Sequence, residues 1–194
     1  EERRELRRLI RRFRSDIADV TEHGMAYRID FRLRPYGSSG ELVFTPSRIA
    51  EYYRSAAALW EFQALLKARP VAGNRDLGAR LLSRISGEAL PGISAEETLE
   101  TVSSARGEEP SPAKSERGYI DVKEGTGGLR DIEFLVQALQ LIHGGSRTEL
   151  RNGNTLQAIS LLRDAGVLSG EEASTLNRGY HFLRRVEHFL QLYE

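Results

Sequence analysis

The segment MAYRIDFRLR, residues 25 to 34, carries the clearest chemistry in the chain. Arg28, Asp30, Arg32 and Arg34 recur at every second position, with Tyr27, Ile29, Phe31 and Leu33 alongside them. On a β-strand that alternation sends the two sets to opposite faces. Three guanidiniums then crowd one carboxylate. Like charges on one strand face repel unless something anionic lies between them, and Asp30 neutralises only one. Arginine forks match phosphate oxygens two at a time, so a phosphate-bearing ligand would satisfy the rest. Asp30 is also the kind of hard oxygen ligand that Mg2+ takes. A solvated outer face with a single Arg–Asp pair fits the same alternation, and the residues alone leave both readings open.

Further candidates lie downstream. Lys67 and Arg69, in Lys67-Ala68-Arg69-Pro70, end a helical stretch. They can meet an anion, or simply answer the negative end of the helix dipole. Lys123 opens the run Lys123-Glu124-Gly125-Thr126-Gly127-Gly128 just ahead of another helix. Free backbone N–H groups at such a start can hold an anion, but the Walker pattern and a G-x-G-x-x-G after a strand are both absent. Arg130, Glu133, Gln137 and Gln140 then form a polar stripe, read as a solvated helix face. Asp131 and Glu133 stand two apart, diverge on a helix and do not clamp a metal. The four histidines show no zinc spacing.

The elements that must position these residues follow from periodicity and caps. Leu6, Leu9, Ile10, Phe13 and Ile17 predict a helix over 2–20. The alternating strand ends at Pro35, and Leu42-Val43-Phe44 reads as a short second strand. Thr45-Pro46 starts a helix expected to run to about Arg69. Helices are predicted over about 76–85, near 95–105 entered through Ser94, and over 129–143, 154–165 and 170–192. The fold class is α+β, mostly helical. Residues 1–86 form one part, 87–118 a partly flexible linker rich in Pro, Ser and Gly, and 119–194 a helical bundle.

Composition narrows the functions. The 194 residues carry 28 Lys+Arg against 28 Asp+Glu, and no cysteine. Disulfides and thiolate metal sites are excluded, and a reducing cytoplasmic setting is expected. Net neutrality and the lack of aromatic interleaving argue against nucleic acid as a partner. No apolar run is long enough to span a membrane.

Taken in order, YRIDFRLRPYGSSGELV, WEFQALLKARPVAG, DVKEGTGGLRDIEFLVQALQL, NTLQAISLLRDAGVL and YHFLRRVEHFLQ resemble the glutamine synthetase adenylyltransferase/deadenylylase family across residues 24 to 194. The resemblance implies the C-terminal part of a nucleotidyltransferase-like α/β domain followed by a helical bundle. It implies a multifunctional enzyme that moves AMP from ATP to a tyrosine of glutamine synthetase, or removes it by phosphorolysis to give ADP. Glutamine and a PII signalling protein would set the direction. Mg2+ would sit on three carboxylates, of which Asp30 matches the third. Under the resemblance Arg28, Arg32 and Arg34 neutralise phosphate or stabilise the sheet, the family pattern favouring Arg32 and Arg34 for phosphate; Lys67, Arg69 and Lys123 lie in family motifs and would meet the nucleotide or the bound protein, and Arg130, Asp131 and Glu133 tie loop to helix. The family's first two metal carboxylates form an Asp-x-Asp, and this chain contains none. One carboxylate is a poor host for two cations, so the chain alone is expected to be inactive. The runs GGLRDIEFLVQ and FLRRVEHFLQ look slightly more like the deadenylylating half. Two alternatives stand beside this reading. One is a non-catalytic helical module that binds glutamine synthetase or PII. The other is a PII uridylyltransferase-like protein, against which the R-L-R-P and K-A-R-P segments argue.

Overall fold

The computed structural model describes residues 2–24, 27, 29–90, 93–106 and 121–193. Arg28 lies outside the described residues, as do 91–92 and 107–118 of the stretch read as a linker. Two compact units make up the chain, Glu1–Ala57 and Ala58–Glu194.

The first unit holds α1 (Glu2–Ala18) and α2 (Pro46–Ser55), joined by an irregular segment with a single 3-10 turn at Gly37–Ser39. The periodicity of α1 is that of an amphipathic helix, yet Leu6, Leu9 and Phe13 on its apolar stripe are exposed. Arg7 of α1 and Arg48 of α2 share the Glu41 carboxylate, at 2.8 and 3.2 Å. Tyr52 of α2 is buried, with the Tyr36 ring edge-on at 4.7 Å.

Neither expected strand forms among the described residues. Residues 31–36 are turns, 42–44 carry no ladder, and among the described residues the only pairing is an isolated bridge between Thr21 and Gly24. Alternation makes a strand only where a neighbour offers a hydrogen-bonding edge, and an isolated pair is marginal in water. The α/β part of the expected fold class is therefore not seen here, whereas its mostly helical character is.

The single helix expected from Thr45 to Arg69 is two. α2 stops at Ser55, and α3 (Leu59–Leu65) starts afresh after Ala56-Ala57-Ala58. Glu61 supplies the new start, its carboxylate accepting from the Ala58 N–H at 3.1 Å. The helices α4 (Arg75–Ala89) and α5 (Ala95–Arg106) follow. Ser94 accepts from the Glu97 N–H at 3.1 Å at the predicted entry to α5.

The rest of the second unit is α6 (Leu129–Gly144), a 3-10 turn at Thr148–Leu150, α7 (Thr155–Asp164) and α8 (Gly170–Gln191). α6 is the hub, packing on α3, α5, α7 and α8. Leu129, Ile132 and Val136 from α6 meet Ala158, Ile159 and Leu162 of α7, with Leu150, Leu168, Ala173 and Tyr180 completing the core. Among the described residues no helix is long and apolar enough to cross a membrane.

Candidate functional site

Without a strand to stand on, the Asp30 segment folds back on itself. The Asp30 carboxylate accepts from the Arg32 backbone N–H at 2.8 Å, and the Arg32 guanidinium reaches both of its oxygens, at 2.7 to 3.1 Å. That bond and the charge of Asp30 raise the Arg32 guanidinium above its ordinary range. Arg34 points elsewhere. It donates to the carbonyls of Phe31, Ser38 (3.2 Å) and Gly40 (3.1 Å), stitching the turn closed. Asp30 and Arg32 thus stand together, while Arg34 serves backbone carbonyls instead of sharing one face with them.

The glycine-rich loop spends its backbone donors internally. The Asp121 carboxylate accepts from Lys123 and Glu124 N–H at 2.9 and 2.8 Å. The Asp131 carboxylate accepts from Gly127 N–H at 2.8 Å, and the N–H groups of Gly128, Leu129 and Arg130 meet loop carbonyls. A carboxylate of the chain itself already stands where an anion would be held. Arg130 lies 3.7 Å from Glu124 and over the Phe134 ring, and Lys123 is exposed. Gly125 is required here, because a Cβ would come within 2.4 Å of the Asp121 carbonyl oxygen.

A third group assembles in the second unit from four helices. Lys67, just past α3, donates to Thr155 Oγ1 at 2.8 Å at the start of α7. Close by is Glu133 of α6, whose Oε1 accepts from the Tyr180 hydroxyl and from Arg184 of α8, both at 2.9 Å. Arg184 also donates to Glu187 at 2.7 Å and lies over the Tyr180 ring. Burial lowers the Lys67 ammonium; Glu133 opposes that shift and Arg184 adds to it. For Arg184, burial alone would lower the guanidinium, but its bonds to Tyr180 and Glu187 and the charge of Glu133 hold it above its ordinary value. Arg69, two residues past Lys67, is exposed.

The polar stripe of α6 is not solvated, contrary to its expected role. Gln137 and Gln140 are 7% and 1% exposed. Gln140 donates to the carbonyls of Leu150 and Asn152 at 2.6 and 2.8 Å, so its amide is matched to two groups that no helix satisfies. It thereby holds the turn that delivers Thr155. Gly153 in that turn lets the end of α3 come close, since a Cβ would lie 3.1 Å from the Leu66 carbonyl oxygen.

Of the sequence-predicted residues, Lys67 and Glu133 are therefore brought together, as are Asp30 and Arg32. Thr155, Tyr180, Arg184 and Glu187 were not singled out individually. Their signal lay in the family-like runs NTLQAISLLRDAGVL and YHFLRRVEHFLQ. Among the described residues no cluster of three or more His, Asp or Glu could hold a metal ion. Asp30, with Arg32 on both oxygens, does not by itself fit a Mg2+ site.

Two family models match separate stretches of the chain. Residues 2–84 match the family of glutamate-ammonia ligase adenylyltransferase, and residues 104–194 match that of GlnD PII-uridylyltransferase. Curated relatives align through both regions. A bifunctional glutamine synthetase adenylyltransferase/adenylyl-removing enzyme of Streptomyces coelicolor is 39% identical over 176 residues, 91% of this chain and 18% of its own. Its namesake from Mycobacterium tuberculosis H37Rv is 40% identical over 166 residues, covering 86% of this chain and 17% of its own. That from Mycolicibacterium smegmatis is 38% identical over the same length. The chain spans under a fifth of the length of these relatives.

Proposed function

The chain belongs to the glutamine synthetase adenylyltransferase/adenylyl-removing enzyme family, and from that premise we propose that it is a portion of such an enzyme, acting on a tyrosine of glutamine synthetase. Continuous similarity through both units, at 38 to 40% identity, carries the reading. In one direction the tyrosine oxygen attacks the α-phosphorus of ATP, the new O–P bond forms, and pyrophosphate leaves. In the other, a phosphate oxygen attacks the phosphorus of tyrosyl-AMP, ADP forms, and the tyrosine oxygen recovers its proton. Neither reaction is redox, and both are helped chiefly by alignment and by cations around the phosphate oxygens.

Within that reading Asp30 contributes one carboxylate to a Mg2+ site whose other carboxylates come from elsewhere in the complete polypeptide. Paired neighbouring strands there would turn the alternation of residues 25–34 into the edge of a nucleotidyltransferase-like sheet. Arg28, Arg32 and Arg34 then face phosphate. Lys67, Arg69 and Lys123 meet the nucleotide or the bound protein. Arg130 and Asp131 hold the glycine-rich loop to α6, and Glu133 holds α6 to α8. PII protein and glutamine set the direction in a cytoplasmic enzyme.

Transfer of labelled AMP to glutamine synthetase tests the reading. The isolated 194-residue chain is expected to transfer none, because one carboxylate cannot align two cations. Full activity of the isolated chain would refute the division of the site.

A further inference from the structure

Two helix faces lie open to solvent. On α1, Leu6 and Leu9 are flanked by Glu2, Glu5, Arg8 and Arg12, and charges of both signs leave nothing that identifies what covers them. On α8 the open face repeats in sequence and carries charge of one sign. Residues 178–184 and 185–191, RGYHFLR and RVEHFLQ, are two copies of one heptad, with Arg, His, Phe and Leu at the same four places.

We propose that the outer face of α8 is a docking surface for an acidic amphipathic helix of another protein, packed along it at heptad spacing. Nothing in this depends on adenylyl transfer.

α8 buries one seam and presents another. Ala173, Tyr180 and Glu187, seven apart, are its buried positions. Phe182 and Phe189 stand two residues after Tyr180 and Glu187, about 200° round the helix, and are 66% and 58% exposed. Arg178 and Arg185 stand two residues before the same pair, again on the outward side, and are exposed along with His181 and His188. The Tyr193 ring lies 4.9 Å from that of Phe189 and carries the apolar strip to the end of the helix. A seven-residue period keeps one stripe against one partner helix, the supercoil taking up the mismatch with the helical turn. A face turned only to water has no use for that period. Aromatic residues and arginine are also the types that dominate the centres of protein interfaces.

The charge selects the partner. The ion pairs of α8 belong to Arg184, and among the described residues no carboxylate pairs with Arg178, His181, Arg185 or His188. The nearest acid along the same stripe, Glu171, lies about two turns ahead of Arg178. Beside Arg178 a groove of about 230 Å³ opens toward α7, and the residues lining it include Arg163, Ser174 and Asn177 but no carboxylate. Arg163 is paired with Asp164 at 2.8 Å, so Arg178 and Arg185 are left for a partner. Carboxylates seven residues apart would meet these two guanidiniums, while leucines pack on Phe182 and Phe189. A second copy of the chain would set cations against cations, which is disfavoured.

The probe is a labelled three-heptad helical peptide with leucine at positions a and d and glutamate at e and g, titrated into the 194-residue chain and followed by fluorescence anisotropy. Its glutamates keep it from pairing with itself. The glutamate peptide is expected to bind. A peptide with lysine in place of glutamate, and one of the same composition in scrambled order, are expected not to. Arg185→Glu is expected to weaken the glutamate peptide about tenfold or more and to let the lysine peptide bind. Phe189→Ala is expected to weaken it about tenfold, as loss of an anchoring aromatic does. Arg178→Glu repeats the reversal if Arg185→Glu does not fold. No binding of the glutamate peptide, equal binding of the scrambled one, or charge reversal without rescue by the lysine peptide overturns the proposal. So does self-association of the chain that Arg185→Glu abolishes, which would make the occupant a second copy. Tighter binding to anionic lipid vesicles than to the peptide, lost in Phe189→Ala, would likewise overturn it in favour of a membrane surface.

Discussion

In the Asp30 turn every charged side chain with a described partner is answered from within six residues, whereas at the Lys67 junction the answering groups come from 47, 51 and 88 residues away. The first arrangement needs only a few residues of backbone. The second exists only when α3, α6, α7 and α8 are packed. A local ion pair in water contributes little to stability; what anchors the turn is Tyr36 against buried Tyr52 and the buried Pro35. The junction trades that independence for a geometry set by the packed helices.

The largest expected effect separates the two regions by their cores. Leu162→Ala, at a position with no exposed surface, is expected to cost about 3 kcal/mol and to dissolve the junction with it. Leu9→Ala on α1, where the side chain is 62% exposed, is expected to change stability by less than about 0.5 kcal/mol. Urea unfolding of both variants measures the contrast, and equal losses would break it.

Gly125→Ala comes next. Its Cβ cannot fit beside the Asp121 carbonyl, so the loop must open at an expected cost of about 1–3 kcal/mol. Hydrogen exchange at the amides of Gly127 and Leu129 is expected to accelerate while that of α8 is spared.

A smaller effect compares the ion pairs themselves. A double-mutant cycle on Glu133 and Arg184 is expected to give a coupling of about 1 kcal/mol, reduced by partial exposure. The same cycle on Asp30 and Arg32, both largely exposed, is expected to fall within error of zero. A larger coupling at Asp30 would mean that the turn is no mere local closure.

The smallest effect is one of pH. Hydrogen bonds from Arg48 and Arg7 hold the Glu41 carboxyl below its usual range. A depressed carboxyl stabilises the fold above its unfolded value and loses that contribution as pH falls through the folded one. The melting difference between wild type and Glu41→Gln should therefore be present at neutral pH and vanish on acidification below the ordinary carboxylate range. A difference that stays constant in acid would show that Glu41 acts by packing.

Legibility from sequence follows the same division. Helix starts could be read, because a cap is chemistry within three residues: Thr45 and Ser94 accept from the N–H groups of Arg48 and Glu97. The strand at 25–34 could not, because alternation describes one strand and a ladder needs two. The break at Ala56-Ala57-Ala58 was hidden because three alanines favour a continuous helix, and only the buried Glu61 bond marks the restart. The α6 stripe looked solvated because glutamine is usually exposed. Its burial depends on the carbonyls of Leu150 and Asn152, ten and twelve residues on. Lys67 and Glu133 could be picked out by type, but no local pattern pairs them with Thr155, Tyr180 or Arg184, which the tertiary fold alone brings near.

The most direct test of the central claim replaces Asp30 by Asn in the complete polypeptide and follows labelled AMP onto, and off, the tyrosine of glutamine synthetase. Loss of turnover by two or more orders of magnitude, with an unchanged melting temperature, is the result expected if Asp30 serves adenylyl transfer. Wild-type turnover in that variant would contradict it.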